Sequence, residues 1–268
     1  MRFWFQFRKL VFSVFQIRMR TLSIATGLLV LTSSVLMPIL EPEQFPRVYD
    51  GLWWTVVTLA TVGYGDAFPK TDLGRLWGIM LIVGGVGLFT LFIGRLYEML
   101  VERQERRKNG DLDYTKHGGG HVVVIGWSGR ARITIKNILK NEPSTDVVLI
   151  DDRLAIAPLD EHNFLFIRGI PSRDKTLHRA RVAEAREILI FADESLKVEN
   201  PYNADARTAF ILTSVERIAG KVQTTLEVVL EENLANFTKI ASNTHFRISD
   251  QSFAEQMYAG PKRKAAER

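Results

Sequence analysis

One short run, Thr61-Val62-Gly63-Tyr64-Gly65, has the residue types needed to bind a cation through its backbone. Glycine adopts positive φ at low cost, so Gly63 and Gly65 allow successive carbonyl groups to point to one side of the chain. Four copies around an axis would stack rings of carbonyl oxygens from Thr61, Val62, Gly63 and Tyr64, with the Thr61 hydroxyl closing the inner end. Such rings replace the hydration shell of a potassium ion, so the run predicts a potassium pathway.

The residues before this run predict how it is held. The stretch from Gly51 to Asp66 is too apolar for an exposed loop, since it contains Trp53, Trp54, Val56, Val57, Leu59 and Ala60. It predicts a short re-entrant helix that ends partway through a membrane, where a non-helical backbone is tolerated only beside a water-filled path. The C-terminal end of that helix, near Ala60, carries partial negative charge that favours a cation.

Two apolar segments flank this stretch. Residues 21–40 contain no charge, and residues 73–96 contain only Arg75 and Arg95, near their ends. At about 1.5 Å per residue, each can span a hydrocarbon core of roughly 30 Å. A signal peptide is the alternative for the first segment, but the run is longer than an h-region and no small-residue cleavage site follows.

Charge predicts the orientation of these two segments. Basic residues precede the first and follow the second, namely Arg2, Arg8, Lys9, Arg18, Arg20, Arg103, Arg106, Arg107 and Lys108. The positive-inside rule then predicts a multi-pass protein of the cell inner (plasma) membrane with both termini in the cytoplasm. The net charge of +5 is explained by these flanking residues, so no nucleic-acid partner is expected, whereas contact with membrane lipid is. The absence of cysteine excludes disulfides and thiolate metal sites.

The rest of the chain predicts a second domain. Residues 1–20 mix aromatic and basic residues, which predicts an interfacial amphipathic segment or, alternatively, an extension of the first span. The pore domain is predicted at 21–108, a linker with Asn-Gly and three consecutive glycines at 109–120, a soluble domain at 121–250 and a tail at 251–268.

Strand and helix patterns alternate in the soluble domain. Strands are predicted at 121–125, 147–150, 164–167, 187–191, 224–229 and 246–248, and helices at 130–140, 174–183, 204–219 and 232–241. The predicted fold class is therefore a membrane α-helical pore domain, with two transmembrane helices and a re-entrant pore helix, followed by a cytoplasmic α/β doubly wound Rossmann-like domain.

The run Thr61 to Gly65, preceded by the pair Trp53-Trp54, resembles the filter motif of potassium channels. The resemblance implies a homotetramer with K⁺ as the permeant ion. It also implies an aromatic cuff around the filter that includes Tyr64, and a hydrogen bond between Asp66 and Trp53. Some relatives carry a pore-helix carboxylate behind the filter, and Val57 stands at the matching position here.

The second span contains three glycines, Gly84, Gly85 and Gly87. In potassium channels a glycine at about this distance after the filter is a gating hinge, and Gly85 is the position that matches. Glycine lowers helix stability by roughly 1 kcal/mol relative to alanine, which favours bending there. Close packing between helices is the alternative reason for small residues.

The turn after the first strand of the soluble domain has the layout of a dinucleotide fingerprint. Gly126, Ser128, Gly129 and Arg130 lie between strand and helix, and Asp151 follows the next strand. Gly126 and the amides after Ser128 would receive phosphate, and Asp151 would contact a ribose. Serine replaces the second fingerprint glycine, so weak or absent nucleotide binding is expected. A turn that only joins strand to helix is the alternative.

Residues 118–250 also resemble the RCK, or TrkA-N, regulatory domain of many potassium channels. The resemblance implies gating by a ligand, either an adenine nucleotide or Ca²⁺. Asp193, Glu194 and Glu227 are possible oxygen donors to Ca²⁺, although Val229 stands where a further acid is wanted. Solvated surface carboxylates explain Asp193 and Glu194 equally well.

The sequence as a whole predicts a potassium-selective, homotetrameric channel subunit gated by its cytoplasmic domain, and not an enzyme. A membrane-tethered nucleotide-dependent oxidoreductase is one alternative, but no acid, base or nucleophile constellation accompanies the turn. A non-selective cation channel is the other, and Tyr64 argues against it because the uninterrupted motif accompanies potassium selectivity.

Overall fold

The computed structural model describes residues 18–116, 118–241 and 243–249. The interfacial segment predicted at 1–20 falls almost entirely outside this part of the chain, and so does the tail predicted at 251–268. The chain divides into two compact units, Met1–Glu102 and Arg103–Arg268.

The first unit is helical. Its elements are the outer helix α1 (Met19–Leu40), the pore helix α2 (Val48–Leu59), and a long inner helix made of α3 (Asp72–Met80), a π-helical segment (Leu81–Gly85) and α4 (Val86–Lys108), whose end lies in the second unit. The helices Met19–Leu40 and Asp72–Lys108 are long and apolar enough to cross a membrane. Only 28% and 17% of their most apolar windows is buried, which fits lipid-facing helices better than helices of a soluble core.

A missing side chain lets the outer and pore helices approach each other. A Cβ on Gly51 would lie 2.6 Å from the carbonyl oxygen of Ser34. The Phe45 and Trp54 rings pack in a tilted arrangement with centroids 5.6 Å apart, and both residues are buried together with Met37. The pore helix is therefore fixed against the outer helix along its length.

A buried polar junction joins all three helices of the first unit. Trp77 Nε1 donates to Ser33 Oγ at 3.1 Å, the Ser33 and Thr55 hydroxyls lie 2.7 Å apart, and the Thr55 hydroxyl donates to the Gly51 carbonyl at 2.7 Å. Each hydroxyl has one proton to donate. The hydrogen bonds are therefore consistent if Trp77 donates to Ser33, Ser33 donates to Thr55, and Thr55 donates to the Gly51 carbonyl. Hydrogen bonds of this kind stabilise helix association in lipid.

The second unit is a parallel α/β sheet. Its strands are β1 (Val122–Ile125), β2 (Val147–Asp151), β3 (Phe164–Arg168), β4 (Glu187–Ile190), β5 (Gln223–Val228) and β6 (Thr244–Ile248), in the order β3-β2-β1-β4-β5-β6. Every pair of neighbouring strands is parallel. In the register, Val123 of β1 lies beside Val148 of β2 and Ile188 of β4. The doubly wound prediction is confirmed, and its topological switch point lies between β1 and β4.

Helices cover both faces of this sheet. They are α5 (Gly129–Asn141), α6 (Asp174–Arg179), α7 (Glu194–Glu199), α8 (Pro201–Ala219) and α9 (Leu234–Phe237). Val123 and Ile125 contribute to one core, whereas Val122 and Val124 contribute to the other. All four residues of β1 are buried, as expected for a central strand covered on both faces.

Two helix predictions in this unit need correction, and one helix was missed. The helix predicted at 174–183 ends at Arg179, because Arg181 has a φ of +50° and a 3₁₀ turn follows at Val182–Glu184. The helix predicted at 232–241 is reduced to Leu234–Phe237, anchored by the buried Phe237. The short helix α7 was not predicted; Asp193 caps it by accepting from the amides of Ser195 and Leu196.

The stretch predicted as a linker, 109–120, is partly built into the second unit. Gly110 is buried, and Tyr114 lies in the sheet core with its amide donating to the Arg179 carbonyl at 2.9 Å. The Tyr114 hydroxyl donates to Asp146 at 3.0 Å. Gly118, Gly119 and Gly120 all have positive φ, a conformation that favours glycine.

Candidate ion pathway and regulatory turn

The run after the pore helix alternates in backbone handedness. Thr61 has a φ of +58°, Gly63 of +58° and Gly65 of +74°. Left-handed conformation at every second residue is the pattern expected of a run whose carbonyl groups point to one side. Thr61 is β-branched, so its positive φ stores strain of roughly 1–3 kcal/mol, a cost typical of functional sites. The sequence predicted the glycine conformations, but nothing in it signalled that of Thr61.

Amide groups of this run are bonded away from the proposed ion path. The N–H groups of Val62 and Gly63 both donate to the Val57 carbonyl, at 3.0 and 3.4 Å. The Thr61 amide donates to the Thr58 carbonyl at 3.0 Å. Because the pore helix accepts these donors, the carbonyl oxygens of the run are left as the groups available to a cation.

The predicted support residues lie together behind the run. Trp53 Nε1 donates to Asp66 Oδ2 at 2.8 Å, which is the hydrogen bond implied by the resemblance. The Trp53 and Tyr64 rings stack with centroids 5.8 Å apart and an interplanar angle of 6°. Trp54 instead turns toward the outer helix and is buried there. In a single chain Tyr64 remains 66% exposed, which leaves an aromatic surface for a neighbouring subunit to cover.

A buried carboxylate holds the segment that follows the run, and it was not predicted. Glu41 is 4% exposed, and its Oε1 accepts from the Lys70 and Thr71 amides at 2.8 and 2.5 Å. A Cβ on Gly74 would overlap this carboxylate, so a glycine is needed beside it. Glu41 thereby ties the end of the outer helix to the start of the inner helix.

Gly85 ends the π-helical segment and is buried. A Cβ there would lie 2.6 Å from Leu59 Cδ2 and 3.1 Å from Leu29 Cδ2, whereas a Cβ on Gly84 or Gly87 would meet nothing within 4 Å. Gly85 therefore packs against the last residue of the pore helix. The π-helical segment is also a site where helices bend, so both roles considered for this glycine have a structural basis.

The turn between β1 and α5 is tight. Gly126 has a φ of +89°, and a Cβ there would lie 2.8 Å from the Phe191 carbonyl oxygen. Ser128 is buried and caps α5, because its hydroxyl accepts from the Ala131 amide at 3.0 Å. The Gly129 amide donates to Glu194 Oε1 at 3.2 Å, so a carboxylate of the protein lies where a phosphate would bind.

Asp151, the expected ribose contact, is buried and bonded to the backbone. Its Oδ2 accepts from the Trp127 amide at 2.8 Å, and its Oδ1 accepts from the amides of Arg153 and Leu154 at 2.8 and 3.0 Å. Through these hydrogen bonds, Asp151 links the turn after β1 to the turn after β2. The sequence spacing alone suggested only a ligand contact.

Arg130, a candidate anion ligand, pairs instead with Glu227 at 2.5 Å. Glu227 is fully buried and also accepts from the Ala192 amide at 3.0 Å. Burial raises the pKa of the Glu227 carboxyl, against the hydrogen bond from Ser249 and the charge of Arg130.

The three predicted calcium donors are not brought together. Asp193 caps α7 and pairs with Arg153 at 2.5 Å, Glu194 faces the Gly129 amide, and Glu227 is held by Arg130. Across residues 18–116, 118–241 and 243–249, no group of three His, Asp or Glu side chains could hold a metal ion. The expected calcium group is therefore not present within this stretch of a single chain.

A cavity of about 310 Å³ lies at the carboxyl edge of the sheet, at the switch point between β1 and β4. Its charged lining residues are Asp151, Arg153, Asp193, Glu194 and Arg207. Arg207 also pairs with Asp152 at 2.6 Å. The cavity brings together the predicted turn residues Gly126 and Asp151 with the acids that follow β4.

Comparison with known families matches both halves of the chain. Residues 24–102 match the family described as Ion channel, and residues 118–226 match the calcium-activated potassium channel slowpoke-like RCK domain. Among curated proteins, the candidate potassium channel YugO of Bacillus subtilis strain 168 is 36% identical over 215 residues, which is 80% of this chain and 64% of YugO. The calcium-gated potassium channel TvoK of Thermoplasma volcanium is 26% identical over 71% of this chain and 53% of TvoK. The chain thus spans between about half and two thirds of the length of these relatives.

Solved structures share the fold. The structure described as GsuK channel bound to NAD has a TM-score of 0.53 and 18% identity, covering 84% of this chain and 40% of that one. The structure of GsuK bound to ADP has a TM-score of 0.54 and 18% identity, covering 84% of this chain and 59% of that one. At this identity the likeness establishes a shared helical pore region followed by a Rossmann-like domain.

Proposed function

Because this chain joins an ion-channel domain to an RCK domain and is homologous to potassium channels, we propose that it forms a potassium-selective channel gated by its cytoplasmic domain. The filter is Thr61 to Gly65, supported by Trp53, Trp54 and Asp66. The observation that carries the proposal is the positive φ at Thr61, Gly63 and Gly65. This conformation supports a run whose carbonyl groups point to one side. The matched relatives are channels, and we propose no enzymatic reaction.

We propose a homotetramer with both termini in the cytoplasm. One chain supplies one strand of carbonyl groups, and rings that replace a hydration shell require four. The exposed Tyr64 and Val62 side chains, at 66% and 52%, offer apolar surface to neighbouring subunits. Two helices that are long and apolar enough to cross a membrane support a membrane protein, and the basic residues on the outer flanks of both helices support the orientation.

We propose the cavity between β1 and β4 as the regulatory ligand site, and an adenine nucleotide as the ligand class. The GsuK structures described with NAD and ADP share this fold, and the cavity lies at the switch point where such folds bind ligands. TvoK is described as calcium-gated. Calcium is a weaker proposal for this chain, because Glu227 pairs with Arg130 and the acids do not converge in the described part of the chain.

Nucleotide affinity should be low in the wild type and rise when the phosphate position is cleared. Glu194→Gln removes the negative charge beside the Gly129 amide, and Ser128→Gly removes the side chain at the second fingerprint position. Each change should strengthen ADP binding roughly tenfold, measured by calorimetry on the full chain. Glu199→Gln, an exposed acid at the end of α7, is the matched control and should change nothing. Absence of ADP binding in the wild type and in both variants would refute the nucleotide proposal.

Gly85→Ala should lower open probability in single-channel recordings roughly tenfold or more. The added methyl group overpacks against Leu59 at the end of the pore helix, which costs about 1–3 kcal/mol. Gly84→Ala is the matched control, because it stiffens the same π-helical segment without a contact. Equal effects from both variants would show that backbone bending alone matters, and an unchanged open probability in Gly85→Ala would remove the gating role.

The direct test of the function is potassium flux from liposomes that contain the purified full chain. We expect efflux of K⁺ down its gradient with little efflux of Na⁺ under the same conditions. Equal efflux of both ions would support the non-selective alternative, and no flux of either ion would contradict the channel proposal.

A further inference from the structure

The last turn of the inner helix is hydrogen-bonded to the regulatory domain through the side chain of one arginine. Within the second unit, Arg107 Nη2 donates to the carbonyl oxygens of Glu161, His162 and Phe164 at 2.6, 3.2 and 3.1 Å. These carbonyl groups belong to the turn that leads into β3 and to its first residue. Hydrogen bonds from a charged donor are among the stronger ones in proteins.

Backbone hydrogen bonds continue the attachment beyond Arg107. The Ala157 amide donates to the Lys108 carbonyl at 2.7 Å, and the Arg168 amide donates to the Gly110 carbonyl at 3.1 Å. Gly110 has a φ of +74°, and a Cβ there would lie 2.5 Å from the Arg168 amide nitrogen. The chain can therefore pass this close to the end of β3 only because residue 110 is glycine.

A second arginine holds the next residues. Arg179 Nη2 donates to the carbonyl oxygens of Gly110 and Leu112 at 2.8 and 3.2 Å, and Arg179 Nε donates to Asp113 at 2.6 Å. The Tyr114 amide donates back to the Arg179 carbonyl at 2.9 Å. Hydrogen bonds thus fix most of residues 107–114 to the rest of the second unit.

The helix itself has no break above this attachment. α4 is continuous from Val86 to Lys108, so the residues that follow the π-helical segment and the residues bonded to β3 belong to one helix. Helical linkers are semi-rigid, whereas flexible linkers absorb movement. Residues 86–108 are all helical.

We infer that Arg107 is a coupling residue, which makes the end of the inner helix and the regulatory domain move as one body. This inference rests on the proposed function, since it assumes that the domain acts on a pore. Arg107 does not contact the ion; it positions the helix end against the turn before β3. Movement of the domain then reaches the inner helix directly through Arg107. Residues 109–120 do not act as a flexible linker between them.

The test compares three variants of the full chain. Arg107→Ala removes all three side-chain hydrogen bonds, Arg107→Lys keeps the charge and part of the bonding, and Arg106→Ala removes a neighbouring exposed arginine as the matched control. Hydrogen exchange in lipid nanodiscs reports on the amides of Ala157 and Arg168, whose acceptors lie on the helix end and at Gly110. Single-channel recording reports steady-state open probability and selectivity.

We expect Arg107→Ala to speed exchange at Ala157 roughly tenfold and to change open probability by a similar factor, with potassium selectivity and tetramer yield unchanged. Arg107→Lys should recover part of both effects, and Arg106→Ala should show neither. Faster exchange with unchanged open probability would overturn the coupling role and leave a purely structural one. Unchanged exchange would overturn the attachment itself. Failure of the proposed function is a separate result, seen as absence of potassium current in the wild type.

Discussion

Replacing Gly63 with alanine is expected to abolish potassium-selective current while the protein still reaches the membrane as a tetramer. Gly63 has a φ of +58°, and alanine in that conformation costs roughly 1–2 kcal/mol. Four subunits carry the change, so the cost to the assembled filter is roughly 4–8 kcal/mol. A Cβ at this position meets no atom within 4 Å in one chain, so the effect comes from backbone conformation. The measurement is single-channel recording in planar bilayers.

Gly27→Ala is the matched control for this change. Gly27 lies in the outer helix, does not have positive φ, and a Cβ there also meets nothing within 4 Å. We expect wild-type current from it, since alanine favours a helix. Current that still follows the potassium gradient in Gly63→Ala would contradict the assignment of the filter.

Replacing Glu41 with alanine should have the second largest effect, namely loss of conduction together with a less stable tetramer. The change leaves the part-buried Lys70 and Thr71 amides without their acceptor, at a cost of up to about 1–3 kcal/mol for each donor. The segment after the filter would then lose its attachment to the outer helix. Tetramer survival on heating and potassium flux from liposomes measure the two consequences.

Two variants separate the hydrogen bonds of Glu41 from its charge. Glu41→Gln keeps an Oε1 acceptor, and both amides donate to Oε1, so this variant should retain most of the flux. Glu43→Ala removes an exposed acid from the same loop and should behave as the wild type. A Glu41→Gln variant as defective as Glu41→Ala would show that charge, and not the acceptor, supports the filter.

The sheet was predictable because each strand has a local signature. Val122 to Ile125 and Val147 to Ile150 are continuous apolar runs, which is typical of parallel strands buried on both faces. The helix predicted at 174–183 was too long, because the left-handed conformation of Arg181 depends on its surroundings and not on residue type. The helix predicted at 232–241 was too long because the α-helical part ends at the buried Phe237, and residues 238–240 are exposed.

Among the candidate functional residues too, those with a local sequence signature were predicted and those with distant partners were missed. Gly63 and Gly65 were identified because glycine in a fixed motif has a local conformational meaning. Glu41 and Arg107 were missed, because their partners lie 29 to 30 and 54 to 57 residues away along the chain. Glu194 was considered as a metal ligand or a solvated surface acid, since sequence could not show that it faces the Gly129 amide.

The reversal potential of the wild-type channel tests the central claim most directly. The full chain is reconstituted in a planar bilayer with a tenfold potassium gradient, and Na⁺ replaces K⁺ on the dilute side so that total salt is equal. A filter of carbonyl rings at Thr61 to Gly65 predicts a reversal potential close to the potassium equilibrium value, which is about 59 mV for a tenfold gradient of a univalent ion. A reversal potential near zero would show that K⁺ and Na⁺ pass equally and would contradict the account.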